Sequence, residues 1–580
     1  MTRGAEKKQK TAQRISGRVT LVMAFFALAA SLLVVRAVQL QVLDKDFLNR
    51  QADTRHLRTE SISAHRGNIL DRNGEPLAIS TPVDSIWANP KEFASSIEKI
   101  PQLAKALGVD SETLMRRITR NMDKEFLYLK RHLNPSPALR VMALKLPGIN
   151  VQREYRRYYP ASEVTGHLVG FTNIDDEGQE GLELAMNHWL EGESGAKRVL
   201  KDRLGRSIEN VESIRPPRHG KDLRISIDLR LQYLAYRTLK VAVKTHNARS
   251  GSVVILDVQT GEVLAMANQP TYNPNDRSQF VAERYRNRAI TDIFEPGSSI
   301  KPLIIAAALE SGQYRPSSVV DTSPGHITVG AKKIEDHRNL GRISLTTILA
   351  RSSNVGVTKL AMTLQSDQLW GTISQFGLGE MTSSGFPGES AGMLTHYSNW
   401  RPISQATIAY GYGVAVTPLQ LAQAYAAIGN GGIMQPVSLF AVEEAVRGER
   451  IVSNDTANAV RRMLEEVVRP GGTGAKASVD GYRIAGKTGT AWKAAKGGHS
   501  QDKYFSIFAG LAPASAPRLA TVVVIDEPSG ELYYGSDVAA PIFADVMSES
   551  LRLLAVPPDA MPARDPGNVM QAMAPRNVSQ

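Results

Sequence analysis

The feature that most limits what this chain can fold into lies at its start. From Val19 to Val35 no residue carries a charge, and the residues before it hold Arg3, Lys7, Lys8, Lys10, Arg14 and Arg18 against a single Glu6. As a helix rising 1.5 Å per residue this run reaches about 26 Å, and continuing past Arg36 to Leu40 fills a hydrocarbon core of roughly 30 Å. Arg36 is able to snorkel to the interface. A cleaved signal peptide is the rival reading, because Ala27-Leu28-Ala29 has small-x-small spacing, but cleavage there would fall in the middle of the apolar run. A buried core helix is the remaining one. We expect an uncleaved signal anchor over 19–40. The positive-inside bias then makes residues 1–18 a cytoplasmic tail and puts the rest of the chain on the far side of the membrane.

With 580 residues, 42% of them hydrophobic, the chain has ample material for more than one core. It contains no cysteine, which excludes disulfides, thiolate zinc sites, iron–sulfur clusters and a cysteine nucleophile. The 11 histidines show no metal-ligand spacing, so no metal and no organic cofactor is expected. The net charge is +12. The basic tail holds much of that excess, which leaves an ordinary solvated surface and no reason to expect a nucleic-acid partner.

Beyond the anchor, residues 41–60 are charged and helical in pattern. A mixed domain is expected over 41–222, with a polar helix near 90–125. Leu223–Leu229 alternates like a strand, and Ser252–Val258 with Glu262–Ala267 reads as a hairpin around Gln-Thr-Gly. Helical spacing follows at 299–311, 344–363, 417–428 and 539–554. Strand patterns lie at 482–485, 504–510 and 519–525. This predicts a second, α/β domain over 223–555. The proline-rich segment 556–580 is expected to be a disordered tail.

Chemistry is suggested first by Glu295-Pro-Gly-Ser298-Ser-Ile-Lys301. Pro-Gly turns the chain into a helix, and i+3 spacing puts Lys301 on the same face as Ser298. A lysine serves as base to a serine only when neutral, which requires burial or neighbouring cations to lower its pKa. The Ser-x-x-Lys pattern alone is weak, since it recurs at Ser96, Ser194 and Ser500. Ser298 differs in having two later partners, Ser352-Ser353-Asn354 and Lys487-Thr488-Gly489-Thr490, each the one instance of its pattern in the chain. Ser352 has the hydroxyl to pass a proton between base and leaving amine, and Asn354 an amide to hold substrate or lysine. Lys487, Thr488, Gly489 and Thr490 present backbone groups to an extended peptide, with hydroxyls and a cation for a terminal carboxylate. Backbone N–H groups of Ser298 and Thr490 suit an oxyanion hole.

These three motifs resemble those of the penicillin-recognising serine acyltransferases. Arg66-Gly-Asn-Ile-Leu-Asp71-Arg72-Asn-Gly74, Arg157-Tyr-Tyr-Pro160, His167-Leu-Val-Gly170, Gly178–Glu183, Tyr410-Gly-Tyr-Gly413 and Thr417-Pro-Leu-Gln420 extend the likeness to the class B penicillin-binding proteins, most closely the division-specific septal D,D-transpeptidases. The resemblance implies an inner-membrane, single-pass enzyme. It further implies an elongated pedestal of dimerisation type and a periplasmic transpeptidase domain, whose five-stranded antiparallel sheet is flanked by helices. Ser298 would attack the penultimate D-Ala of a peptidoglycan stem peptide, release D-Ala, and pass the acyl group to a neighbouring stem during septal wall synthesis. β-Lactam antibiotics would acylate the same serine. Implied partners are the lipid-linked precursor, a polytopic FtsW-like glycan polymerase and other division proteins. Ser353 and Tyr504 join Thr488, Gly489 and Thr490 as substrate-binding candidates, with Tyr533 and Tyr534 as further candidates for an aromatic wall.

Several rivals fare less well. A class A β-lactamase lacks its Glu-x-x-Leu-Asn segment here. A D,D-carboxypeptidase and a non-catalytic scaffold of the wall-synthesis complex remain as alternatives. Gly481–Thr488 matches the phosphate-loop string G-x-x-x-x-G-K-[ST]. Its four variable residues read as strand, however, and Gly489 follows where a helix is required.

Overall fold

The computed structural model describes residues 3–45, 57–201, 207–276, 278, 281–443, 446–495 and 498–560. The proline-rich tail from 561 onward lies outside them. Arg3–Val38 is one α-helix that continues as a π-turn over Gln39–Leu43. Within it, Arg18–Leu43 has a mean hydropathy of 2.4, and among the described residues it is the one helix long and apolar enough to cross a membrane. Its apolar side chains stand exposed, Leu21 at 73% and Leu33 at 72%.

The remaining chain forms two compact units. The first gathers residues 82–155 and 192–219 with the N-terminal 1–64. Its antiparallel sheet sets Leu57–Ile62 against Gly195–Lys201, which in turn pairs with Ser207–Arg215. The 41–60 segment therefore ends in a strand where a helix was expected, because the next element it meets is a strand with open N–H and C=O groups. A separate small core closes around Phe93, Ile100, Leu103, Leu114 and Ile118. The polar helix expected near 90–125 is several short helices, chiefly Ile100–Leu107 and Ser111–Thr119. Gly108 in the left-handed region ends one, and the Asp110 side chain caps the next.

The second unit gathers residues 65–81, 156–191 and 220 onward. Around its first segments a buried carboxylate organises the chain. Glu183 is 0% exposed and accepts from Arg66 Nε and Arg157 Nε, each at 2.6 Å. Asp71 holds its own turn by accepting from the Asn73 and Glu75 N–H groups. Of the expected 223–229 strand, Leu223–Arg224 pairs in parallel with Ile69–Leu70, and Ile225 adds an isolated antiparallel bridge to Phe440. Asp228 then caps the helix Leu229–Thr245, so the alternation ends in a cap.

The main sheet of this unit has five antiparallel strands in the order Val263–Gln269, Ser250–Asp257, Leu519–Asp526, Gly498–Ala512, Ala485–Ala495. Both faces are covered, which suits the unbroken apolar runs Val253–Leu256 and Val522–Ile525 in two of its inner strands. Val254, Leu256, Val522 and Val524 enter one core, which also holds Ile304, Leu421 and Leu464 of three helices. Val253, Ile255, Val523 and Ile525 enter the other, with Leu239, Phe543 and Met547. The tail does not begin at 556 as an unpacked segment. Tyr482 Oη donates to Val556 O, and Asp559 accepts from the N–H groups of Arg483 and Ser515.

Candidate active site

Ser298 sits in a 3₁₀ turn, Gly297–Ile300, that runs straight into the helix Lys301–Glu310. The turn is held tightly. Gly297 has φ +52° and its N–H donates to Gly411 O at 3.2 Å. A Cβ on Gly411 would lie 2.1 Å from Gly297 O, so a side chain there is incompatible with this packing. On the other side, a Cβ on Gly489 would meet Pro296 O at 2.9 Å. The nucleophile turn is thus wedged between the 410–413 loop and the edge strand Ala485–Ala495. Glu295 ties it further, accepting from Gly413 N at 2.8 Å and from His499 Nε2 at 2.5 Å.

The expected helix over 344–363 is broken in two, Leu345–Ala350 and Asn354–Thr363. Ser352 stands between them with φ +57°, a strained conformation for a non-glycine residue. Asp336, which sequence reasoning missed, stabilises the break. Its carboxylate accepts from Ser353 Oγ at 2.5 Å, Asn354 N at 2.6 Å and Val355 N at 3.0 Å. This places an anion at the start of the second helix, where free N–H groups favour it. The spacing of Asp336 from the motif, with no pattern linking them, gave no signal.

The consequence is a proton-rich junction. Lys301 Nζ donates to Ser352 O at 2.6 Å, Asn354 Oδ1 at 2.7 Å and Ser352 Oγ at 3.2 Å. Lys487 Nζ reaches the same Ser352 Oγ at 3.1 Å. Both lysines are fully buried. Burial above all, and then the charge of Lys487, hold Lys301 well below the usual lysine range, while Asp336 pulls it back upward. Burial alone pushes Lys487 down to about 7. Among the described residues, the hydrogen bonds of Lys301 go to Ser352 and Asn354, and none joins it to Ser298.

Above this junction opens a cavity of about 470 Å³, lined by Ser298, Ser352, Asn354, Thr488, Thr490 and Tyr504 among others. Tyr504, Tyr533 and Tyr534 stack in series, with ring centroids 4.2 and 4.4 Å apart. All three line the cavity, as does Trp492, which sequence reasoning did not single out. Lys301, Lys487, Ser353 and Gly489 are not on its wall. Ser353 is buried, its hydroxyl given to Asp336 and accepting from Gly356 N at 2.8 Å. Thr488 Oγ1 donates to Thr473 Oγ1 at 3.2 Å, and Thr490 Oγ1 accepts from Gly535 N at 2.9 Å. The Gly481–Thr488 string enters the edge strand at Ala485 and continues as strand to Ala495, which is not a phosphate loop. Among the described residues no cluster of His, Asp and Glu is fit to hold a metal.

Comparison with known proteins adds a family. Residues 251–548 match the Penicillin binding protein transpeptidase domain, and residues 61–225 the Penicillin-binding Protein dimerisation domain. The chain is 45% identical over 569 residues to the peptidoglycan D,D-transpeptidase FtsI of Escherichia coli K12, covering 97% of this chain and 96% of that one. It is 42% identical to the probable peptidoglycan D,D-transpeptidase PbpC of Pseudomonas aeruginosa, covering 95% and 97%. Among solved structures, the transpeptidase domain of Burkholderia pseudomallei penicillin-binding protein 3 is similar at 41% identity and TM-score 0.54, covering 58% of this chain and 98% of that one. A peptidoglycan synthetase from Bifidobacterium adolescentis is similar at 25% identity and TM-score 0.70, covering 88% and 98%.

Proposed function

We propose, on the premise that this chain belongs to the penicillin-binding protein transpeptidases, that its chemistry runs through an acyl-Ser298 intermediate served by two buried lysines and one shared hydroxyl. The reaction is peptidoglycan D,D-transpeptidation. Ser298 Oγ attacks the carbonyl of the penultimate D-Ala of a stem peptide while its proton passes to Lys301. The base acts as the neutral amine, which burial and Lys487 favour. When Lys301 has lost a proton, the Ser352 hydroxyl turns to donate to it, so the same hydroxyl that now accepts becomes the conduit. The direct Ser298–Lys301 contact forms as the substrate settles, since catalytic hydrogen bonds often tighten only in the complex. Negative charge on the tetrahedral intermediate is taken by the Ser298 and Thr490 N–H groups, each worth roughly 3 kcal/mol. Ser352 then delivers a proton to the departing D-Ala nitrogen, and an amine of a neighbouring stem resolves the acyl-enzyme.

In this reading Thr488 and Thr490 receive the terminal carboxylate, while Lys487 balances its charge from below. Tyr504 flanks the acyl chain. Ser353 caps a helix and Gly489 admits the nucleophile turn, so both act on substrate only through their neighbours. The observation that carries the proposal is Ser352 Oγ lying 3.2 Å from Lys301 Nζ and 3.1 Å from Lys487 Nζ beneath a cavity that Ser298 lines. The N-terminal helix anchors the protein in the membrane. We further propose that residues 1–18 are cytoplasmic and the catalytic unit periplasmic, that the 41–222 and 223–555 segments are pedestal and transpeptidase domains, and that a lipid-linked glycan polymerase and division proteins are the partners.

The test is mass spectrometry of the intact protein after incubation with a penicillin, followed by peptide mapping. A stable one-to-one adduct on the Ser298 peptide, lost in Ser298→Ala, is expected. An adduct retained by Ser298→Ala would remove Ser298 as nucleophile.

A further inference from the structure

A second cluster of rings lies outside the catalytic cavity. Trp370, on the helix Ser366–Gln375, meets His396 and Tyr397 with ring centroids 4.8 and 5.8 Å away, and those two rings are 4.3 Å apart. Trp400 ends the same turn, its Nε1 donating to Thr395 O at 2.8 Å, while His396 Nδ1 and Ser398 Oγ share a hydrogen bond of 2.8 Å. The turn is therefore fixed before anything binds to it. It is also open to solvent: His396 and Tyr397 are exposed, as is Met393 just before them, and Trp370 and Trp400 are half-buried. None of these residues lines the catalytic cavity.

From Ser390 to Trp400 the chain has no Asp, Glu, Lys or Arg, although 22% of all its residues are charged. Between the rings stand the small neutral side chains of Thr395, Ser398 and Asn399. An exposed aromatic surface without charge, interspersed with hydroxyl and amide groups, matches a ligand that has apolar faces and neutral polar edges. A pyranose sugar is such a ligand, its ring C–H groups forming the face and its hydroxyl and acetamido groups the edge. Position points the same way. Met393–Leu394 pairs antiparallel with Val414–Ala415, so the chain leaving Leu394 for the rings heads toward the side from which Tyr410–Gly413 arrives. Tyr410 and Tyr412 line the catalytic cavity. The helix Pro402–Ile408 joins Trp400 to Tyr410, and its length is about 10 Å. A peptide of about five residues spans roughly 17 Å when extended, a reach comparable with the way from the rings to the cavity.

We infer that Trp370, His396, Tyr397 and Trp400 form a glycan-binding platform, on which N-acetylated hexosamine rings of the strand that bears the stem peptide stack beside the catalytic cavity. The choice of ligand rests on the reading of the chain as a peptidoglycan transpeptidase. The platform carries the part of the substrate that does not react. Holding the strand there makes the encounter of each stem with Ser298 a local event, at an effective concentration set by the length of the stem.

The probe is chitohexaose, a neutral β-1,4-linked N-acetylglucosamine chain that carries no peptide. It is titrated against the full chain in a detergent without a sugar headgroup, and binding is read by ligand-observed saturation-transfer NMR. The wild type is expected to bind it equally well before and after penicillin has acylated Ser298, because the platform lies outside the cavity. Losing one exposed ring, in Tyr397→Ala or in His396→Ala, should weaken binding about five- to tenfold. Tyr397→Phe, which keeps the ring, should bind like the wild type, and thermal melts show whether each variant is folded. No binding by a wild type that penicillin labels, binding lost on acylation, or binding indifferent to both alanine variants overturns the platform while leaving the acyl-Ser298 reading standing. Failure of penicillin to label Ser298 in the wild type overturns that reading, and the platform falls with it.

Discussion

Lys301 is pulled in opposite directions by two named neighbours, and this makes the catalytic base testable by sign. Lys301 Nζ and Lys487 Nζ each touch Ser352 Oγ, at 3.2 and 3.1 Å, so they lie at most about 6 Å apart. At an effective dielectric of about 20, two unit charges at that distance repel by about 3 kcal/mol. That corresponds to roughly a hundredfold in a protonation equilibrium. Lys487→Met removes the repulsion, allowing Lys301 to hold its proton to higher pH. The rising limb of the acylation rate against pH should therefore move upward. Lys487 itself is pushed down to about 7, so the full factor develops only below neutrality.

Asp336→Asn does the reverse, because the carboxylate favours the charged lysine. The limb should move to lower pH. Asparagine keeps an acceptor for the Asn354 or Val355 N–H, so what is lost is mainly the charge-assisted part of those bonds. That is about 2 kcal/mol of stability, visible as a fall of several degrees in Tm. The assay is the second-order rate of penicillin acylation between pH 5 and 10, on roughly evenly spaced steps. Limbs that move together, or a limb indifferent to both changes, would show that Lys301 is not the group whose proton controls acylation.

Two further outcomes follow from packing. Gly411→Ala puts a Cβ 2.1 Å from Gly297 O at a residue with φ +88°, and should cost more than about 3 kcal/mol or displace the nucleophile turn. Thermal melts read alongside acylation rates decide it, and a variant matching wild type in both would contradict the wedge. Glu183→Gln leaves two buried guanidinium groups facing an amide and should cost about 3–5 kcal/mol in denaturant unfolding, whereas a loss below about 1 kcal/mol would show that the carboxylate is not what holds Arg66 and Arg157.

The sequence by itself determined a good deal. A charge-free run behind a basic tail is long enough to cross one hydrocarbon core, and length and composition alone make it a candidate membrane span. The unbroken apolar run from Val253 to Leu256 requires a strand buried on both faces, and the sheet supplies two cores for its two faces. Ser298 and Lys301 were legible because i+3 spacing is local, and the Ser352–Asn354 and Lys487–Thr490 motifs were legible as types of group. Their meeting was not. Ser352 and Lys487 are far apart in the chain, and only the packing of the edge strand against the broken helix brings them to one hydroxyl. The break itself had no local cause, since neither glycine nor proline marks it. It exists because Asp336, arriving from a hairpin, offers a carboxylate to the N–H groups of Asn354 and Val355. The same holds for the lysines' protonation. Helical and strand period are properties of neighbouring residues, whereas desolvation, charge proximity and capping by a distant carboxylate depend on distances that only the folded chain sets.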